Sequence, residues 1–63
     1  MIIPKNGSKW SGSDGEVFHV ISSIELEGHT WIYYCKDKPK EYEPKEYSCY
    51  VESFLSRFRE LPE

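Results

Sequence analysis

The chain has 63 residues, of which 38% are hydrophobic and 16% aromatic, and its formal net charge is −3. A chain of this length forms one domain that buries only about 60% of the surface its unfolded form exposes, which leaves little room for an internal active-site cavity. The negative charge argues against a surface built mainly for a phosphate backbone, because such surfaces are rich in Lys and Arg.

Membrane and secreted proteins are also disfavoured by the sequence. No apolar run approaches the roughly 20 residues that span a bilayer, and residues 1–5 are too short for a signal peptide. We therefore expect a cytoplasmic protein with no membrane partner. Cys35 and Cys49 are then expected to be reduced thiols, because disulfides are rare in the cytosol.

The first elements in chain order are a lead-in and a short hairpin. Residues 1–6 show little pattern and are predicted to be a loose lead-in. A short strand is predicted around Trp10, between two glycines. The Ser-Asp-Gly sequence at residues 13–15 predicts a tight turn, since Asp can hydrogen-bond its own backbone and Gly readily adopts a positive φ.

The longest strand-like segment covers residues 16–27. Its even-numbered face, which we predict to be the core face, carries Phe18, Val20, Ser22, Ile24 and Leu26. The two serines at 22 and 23 interrupt the apolar pattern, so we expect a bend or bulge there. A polar link with a glycine at residues 27–29 predicts the second turn.

Residues 30–35 are β-branched and aromatic and are predicted to be the central strand. Alternation divides them into two faces, which carry Trp31, Tyr33 and Cys35 on one side and Ile32, Tyr34 and Lys36 on the other. Because a domain this small buries only one face, we expect the second set of rings to cover an edge, a partner or a ligand. The sequence leaves open which face is outward.

The last third of the chain changes character twice. Residues 37–46 are charged, contain two prolines and are predicted to be an exposed loop whose one apolar anchor is Tyr42. Residues 47–50 predict a short strand antiparallel to the central one. A helix is then predicted from the spacing i, i+3, i+4 and i+7 of Val51, Phe54, Leu55 and Phe58, although residues 58–61 could instead form a closing strand.

Candidate chemical groups are few. The soft metal ligands are His19, His29, Cys35 and Cys49, but their spacing lacks the paired cysteines and histidines of structural zinc sites, so we predict no metal. His19 could lie beside Cys35, yet nothing in the sequence supplies an oxyanion hole or a phosphate-binding loop. We predict neither enzymatic activity nor a cofactor.

Aromatic residues are the strongest remaining signal. Outside the helix and the second strand, seven large rings exceed what a thin core can bury. Tyr and Trp are favoured at interfaces because they bury a large area at low entropic cost and keep a polar group. The predicted partner-binding residues are Trp31, Tyr33, Tyr34, Tyr42 and Tyr50.

Together these elements predict a mainly β fold, either a small SH3-like antiparallel barrel or a strongly bent sheet, with a short C-terminal helix. Turn glycines and core aromatics form a layout that consists of Gly7, Trp10, Gly15, Phe18, Val20, Gly28, Trp31, Ile32, Tyr34, Tyr47, Cys49, Phe54, Leu55 and Phe58. This layout resembles that of short phage- and prophage-encoded proteins of uncharacterised function. The resemblance implies a phage or mobile-element origin and a small-barrel fold, and it carries over no catalytic residue. The charged loop departs from that pattern.

Two functions from different classes are compatible with this sequence. The first is a non-enzymatic protein-binding accessory module that acts on a host protein or as a homodimer through its exposed rings. The second is a nucleic-acid-binding barrel that stacks bases on those rings and contacts phosphate with the four lysines of residues 36–46. Three glutamates interleave with those lysines and weaken their field, so protein binding is favoured.

Overall fold

The computed structural model describes residues 3–62. In that range it has the strands β1 (Lys9–Ser11), β2 (Val17–Leu26), β3 (His29–Lys36), β4 (Tyr47–Tyr50) and β5 (Arg59–Glu60), with the helix α1 (Val51–Arg57) between the last two. All strand pairs are antiparallel, and the order across the sheet is β4-β3-β2-β1-β5. The predicted mainly β fold with a short C-terminal helix is confirmed. Because β4 and β5 are both edges, the sheet is open and does not close into a barrel.

Within residues 3–62, no helix has the length and apolar composition needed to cross a membrane.

Two tight turns set the register of the first three strands. In the first, the Gly12 N–H donates to the Glu16 carbonyl at 2.9 Å and the Glu16 N–H donates to Asp14 Oδ1 at 3.1 Å. In the second, Glu27 and Gly28 have φ values of 52° and 80°. A two-residue link with positive φ at both positions matches the twist of the strands that it joins. Both turns lie where the sequence predicted them.

A bulge in β2 changes the register between β2 and β3. Val20 pairs with Tyr34, whereas Ser22 pairs with Tyr33, so Ile21 is the extra residue. An extra residue in one strand reverses the face that every later side chain takes. The bulge therefore divides β2 into two halves whose even-numbered residues point to opposite faces.

The prediction of a single even-numbered core face for β2 is wrong beyond this bulge. Phe18 and Val20 precede it and are buried, but Ile24 is 43% exposed and Leu26 is 55% exposed. The bend itself was predicted within two positions of where it occurs. Its effect on the faces was missed, because a bulge adds one residue to a pattern whose period is two.

The core lies between α1 and the inner face of the sheet. Its buried side chains are Trp10, Phe18, Val20, Ile32, Tyr34, Val51 and Phe54. Rings meet edge to face, with centroids 5.0 Å apart for Trp10 and Phe54 and 5.0 Å apart for Phe18 and Phe58. Such pairs add about 0.5–1.5 kcal/mol each beyond the area they bury. A few large rings thus form most of a core that is one layer thick.

The C-terminal segment covers the core and then joins the sheet. The Phe58 N–H donates to the Phe54 carbonyl at 2.9 Å and ends α1. The backbone becomes extended at Phe58, and β5 pairs with β1. The alternative of a closing strand is therefore the correct one for Arg59–Glu60. The middle strand is therefore β2, and the prediction that residues 30–35 form the central strand is wrong, because β3 lies between β2 and β4.

The predicted lead-in of residues 1–6 is partly described. Residues 1 and 2 lie outside the described range. Pro4 is buried, and the Gly7 N–H donates to the Val20 carbonyl at 2.7 Å. The hydrogen bond holds Gly7 beside β2.

Candidate functional site

The outer face of the sheet, opposite α1, presents a cluster of apolar and aromatic side chains. Directly opposed residues of an antiparallel pair share a face, and the pairs Ile24–Trp31, Leu26–His29 and Trp31–Tyr50 join three strands in this way. We call these five side chains the outer patch. Ile24, Leu26 and Tyr50 are 43%, 55% and 41% exposed, so the cluster is open to solvent.

Rings of the outer patch pack against each other. The centroids of Trp31 and Tyr50 are 4.3 Å apart, and those of His29 and Tyr50 are 4.8 Å apart. Each ring limits the rotation of its neighbour, so the three lose little side-chain freedom when another molecule covers them. Aromatic contact surfaces of this kind bind at low entropic cost.

The bulge at Ile21 creates the aliphatic half of the patch. Without the extra residue, Ile24 and Leu26 would point to the same face as Val20, which is the core. With it, they stand beside Trp31 on the outer face. Sequence reasoning missed both aliphatic residues. The signal that could have found them is the predicted bend, read together with the change of face that a bulge causes.

Three of the five predicted partner-binding residues lie on this face. Trp31 and Tyr50 belong to the outer patch, and Tyr33 lies between Ser22 and Ser48 on the neighbouring strands. Both Trp31 and Tyr33 are half-buried by the side chains around them. The face that carries Trp31, Tyr33 and Cys35 is therefore the outward one, which the sequence had left open.

Tyr34, the fourth predicted residue, lies in the core. It is 5% exposed, and its ring centroid is 5.2 Å from that of Phe54. Its hydroxyl accepts a hydrogen bond from Arg57 Nη2 at 3.3 Å, and burial raises its pKa. Its ring is not available to a partner on the outer face, so we leave it out of the candidate surface.

Tyr42, the fifth, projects from the charged loop. It is 81% exposed and does not anchor the loop as predicted. The Lys40 ammonium lies 6.0 Å from the centre of its ring. Tyr42 thus lies outside the outer patch as we define it.

The charged loop is attached to the sheet by an ion-pair network and not by Tyr42. Lys36 forms salt bridges with Glu16 and Glu43, and the side chains of Lys36 and Glu43 are each only 16% exposed. The hydrogen bond to Glu16, followed by that to Glu43, raises the pKa of Lys36. The hydrogen bond from Lys36 lowers the pKa of Glu43. The loop is therefore held by Glu43.

The segments that carry the outer patch are acidic. The segments that carry the patch, residues 24–31 and 46–52, contain four glutamates and neither Lys nor Arg. All four are exposed: Glu25, Glu27, Glu46 and Glu52. An apolar surface carried by acidic segments favours a ligand that is itself apolar with basic groups around it.

Farther along the outer face, His19 lies against Cys35. The Cys35 sulfur is 3.1 Å from His19 Nε2 and 3.8 Å from Nδ1, and Nδ1 is 3.2 Å from Asp37 Oδ1. A sulfur in line with the Nε2 lone pair would be much farther from Nδ1 than from Nε2. Because the two distances from the sulfur are similar, the sulfur lies to one side of that lone pair. Burial, then the charges of Asp37 and Glu46, raise the pKa of Cys35. A catalytic cysteine needs a lowered pKa or an aligned base, and this group has neither.

The two thiols lie on opposite faces of the sheet. Cys35 is on the outer face beside His19, whereas Cys49 pairs with Ile32 and packs against the core. Both are free. A disulfide requires side chains that point towards each other, so this arrangement excludes a bond between them within one chain.

The four soft metal ligands do not converge either. His29 belongs to the outer patch, and Cys49 faces the core. For the part of the chain that the structure describes, no three His, Cys, Asp or Glu side chains are arranged to hold a metal ion.

Comparison with known proteins identifies no relative. The chain matches no protein-family model, no curated protein and no solved structure. Inferences about function therefore depend on the geometry of the chain itself.

Proposed function

We propose that this chain is a non-enzymatic protein-binding module whose contact surface is the outer patch together with Tyr33. The observation that carries the proposal is the patch itself, in which five apolar and aromatic side chains lie side by side on three strands, opposite the face that α1 covers. Contiguous apolar surface of this kind on a folded domain marks an interaction site.

Charge supports a protein rather than a nucleic acid as the partner. The segments that carry the patch contain neither Lys nor Arg to contact phosphate. Of the lysines assigned to phosphate in the alternative function, Lys36 is held between Glu16 and Glu43. Affinity for nucleic acid depends on neutralising phosphates with free Lys and Arg. A protein surface with apolar and basic side chains complements the patch better.

The biological setting belongs to the same proposal. The resemblance in layout supports an origin in a phage or another mobile element, with the chain acting in the cytoplasm of its host. Its partner is then a host protein or a second copy of the chain.

Two isoleucines of nearly equal exposure make a matched test of the surface. Ile24 lies in the outer patch and is 43% exposed, whereas Ile3 lies elsewhere and is 41% exposed. Partners captured from a bacterial lysate are compared for the unmodified chain, Ile24→Ser and Ile3→Ser. We expect one stoichiometric protein to be captured by the unmodified chain and by Ile3→Ser, and to be lost with Ile24→Ser. Sedimentation of the purified chain tests self-association in the same way.

Titration with nucleic acid tests the alternative function, which is nucleic-acid binding. Dissociation constants for mixed-sequence single- and double-stranded DNA and RNA are expected to exceed about 10⁻⁴ M at physiological salt, the weak limit of ordinary non-specific binding. Micromolar, salt-sensitive binding to nucleic acid would overturn the proposal.

A further inference from the structure

The edge strand β4 has an open backbone side. It is the last strand of the sheet, and its one neighbour is β3. Among the turn, loop and cap hydrogen bonds of residues 3–62, none involves the backbone of Tyr47–Tyr50. Every second residue of β4 therefore presents an N–H and a carbonyl that could pair with another strand.

The two edges of the sheet differ in their protection. β5 is two residues long, and both are charged, Arg59 and Glu60. Short length and charged side chains are the usual devices that prevent a foreign strand from pairing with an edge. β4 is twice as long, has the sequence Tyr-Ser-Cys-Tyr, and lacks charge, proline and bulge. Of the two terminal strands, β4 is therefore the one that is open to pairing.

We propose that β4 binds an extended segment of a partner protein as an added antiparallel strand. This inference rests on the proposed protein-binding function and specifies how the partner is held. Main-chain hydrogen bonds to β4 supply affinity, and side chains on alternate positions supply selectivity. On the outer face, Ser48 is small and exposed beside Tyr50, which leaves room for an apolar side chain of the added strand.

Charge selects the kind of segment that binds. Glu46 precedes β4 and Glu52 follows it, and both are exposed. An antiparallel segment with Lys or Arg at both ends would place its basic groups against these two carboxylates. A second copy of the chain would instead bring Glu46 towards the Glu52 of the copy, and like charges across paired strands are destabilising. The occupant is therefore a basic-ended strand of another protein.

Peptides selected from a random library displayed on phage, with the folded chain as bait, provide the probe. We expect selected peptides with alternating apolar residues and basic ends. N-methylation removes the hydrogen-bond donor of an amide and therefore tests the mode of binding. Alternate amides of the peptide would face β4 or face away from it. Methylation of the set that faces β4 should abolish binding, and methylation of the other set should not. Amide hydrogen exchange at Tyr47–Tyr50 should slow when the unmodified peptide is bound. Glu46→Lys should weaken binding about fivefold relative to Glu41→Lys, a matched change in the exposed loop.

The possible outcomes distinguish a failure of strand addition at β4 from a failure of the proposed protein-binding function. If both N-methylated sets bind as well as the unmodified peptide, or if no peptide is selected, strand addition is wrong. The lysate capture with Ile24→Ser and Ile3→Ser then decides independently whether the outer patch binds a protein. If the peptides bind through β4 while Ile24→Ser captures partners normally, strand addition stands and the patch is not the contact surface.

Discussion

The two faces of the sheet are built from similar residues but differ in burial. Tyr33 and Tyr34 are neighbours in the chain, yet Tyr34 is 5% exposed in the core and Tyr33 lies on the outer face. The difference is α1, which follows β4 directly and covers one face only. In a domain with one short helix, aromatic side chains on the uncovered face remain accessible. Composition alone therefore does not separate core rings from contact rings.

The largest contrast between the faces is expected from truncating the ring at the centre of the core. Phe54 is fully buried, so Phe54→Ala should lower the free energy of unfolding by about 3–5 kcal/mol. Leu26→Ala, on the exposed outer face, should change it by less than about 0.5 kcal/mol. Urea denaturation followed by circular dichroism measures both. An unchanged midpoint for Phe54→Ala would show that α1 is not docked on the sheet.

The adjacent tyrosines provide a more local version of this contrast. Tyr34→Ala removes a buried ring that contacts Phe18, Phe54 and Phe58 and should cost about 3 kcal/mol. Tyr33→Ala should cost less than about 1 kcal/mol, because its ring is half-exposed. Thermal unfolding of the two variants side by side tests this. Equal losses would mean that the outer face contributes to stability as much as the core does.

For partner binding, in contrast to stability, substitutions on the outer face should have larger effects than substitutions in the core. Trp31→Ala removes the ring that packs on Tyr50 at the centre of the outer patch and should weaken partner binding by more than about 1 kcal/mol. Phe18→Leu, a change on the inner face, should leave the affinity of the folded fraction unaltered. Calorimetric titration with the captured partner or a selected peptide gives both values. A Trp31→Ala variant with unaltered affinity would remove the patch from the contact surface.

The smallest expected effect concerns the loop that joins β3 and β4. Because the pKa of Glu43 is lowered in the folded chain, its stabilising contribution is fully present above its ordinary value of 4.5 and is lost as the pH falls through the lowered value. The raised pKa of Lys36 means that its contribution is present below 10.5 and is lost at higher pH. Residues 37–46 should therefore become mobile at either extreme while the sheet remains folded.

Nuclear magnetic resonance relaxation of the loop amides measures this change. Lys36→Met should mobilise the loop at neutral pH, whereas Lys45→Met, a matched change within the exposed loop, should not. If the loop stayed ordered in Lys36→Met, the salt bridge to Glu43 would not be its attachment.

Much of the fold was predictable because it depends on local chemistry. The Asp14–Gly15 and Glu27–Gly28 turns follow from residues that adopt positive φ or hydrogen-bond their own backbone. The strand over residues 30–35 follows from its β-branched and aromatic side chains. The change to a period of 3.6 at Val51 predicts α1. Each of these signals lies within a few residues of the element that it specifies.

The candidate site was only partly predictable for the same reason. Trp31, Tyr33 and Tyr50 were predicted from their residue type, and the pairing of β3 with β4 places them on one face. Ile24 and Leu26 were assigned to the core, because their face depends on whether the bulge adds one residue before them. No pattern within a few residues reveals the extra residue of the bulge, because contacts with β3 offset the energetic cost of the bulge.

The sequence by itself determined where strands, turns and helix occur, and that two sets of rings alternate along β3. Tertiary structure alone decided which set is covered, because burial depends on where α1 packs after the chain has paired. It also decided that β5 joins β1 and that β4 remains an edge, since strand order is set by contacts between distant segments. The open edge and the outer patch both result from those long-range contacts, and for that reason they could not be derived from residue order.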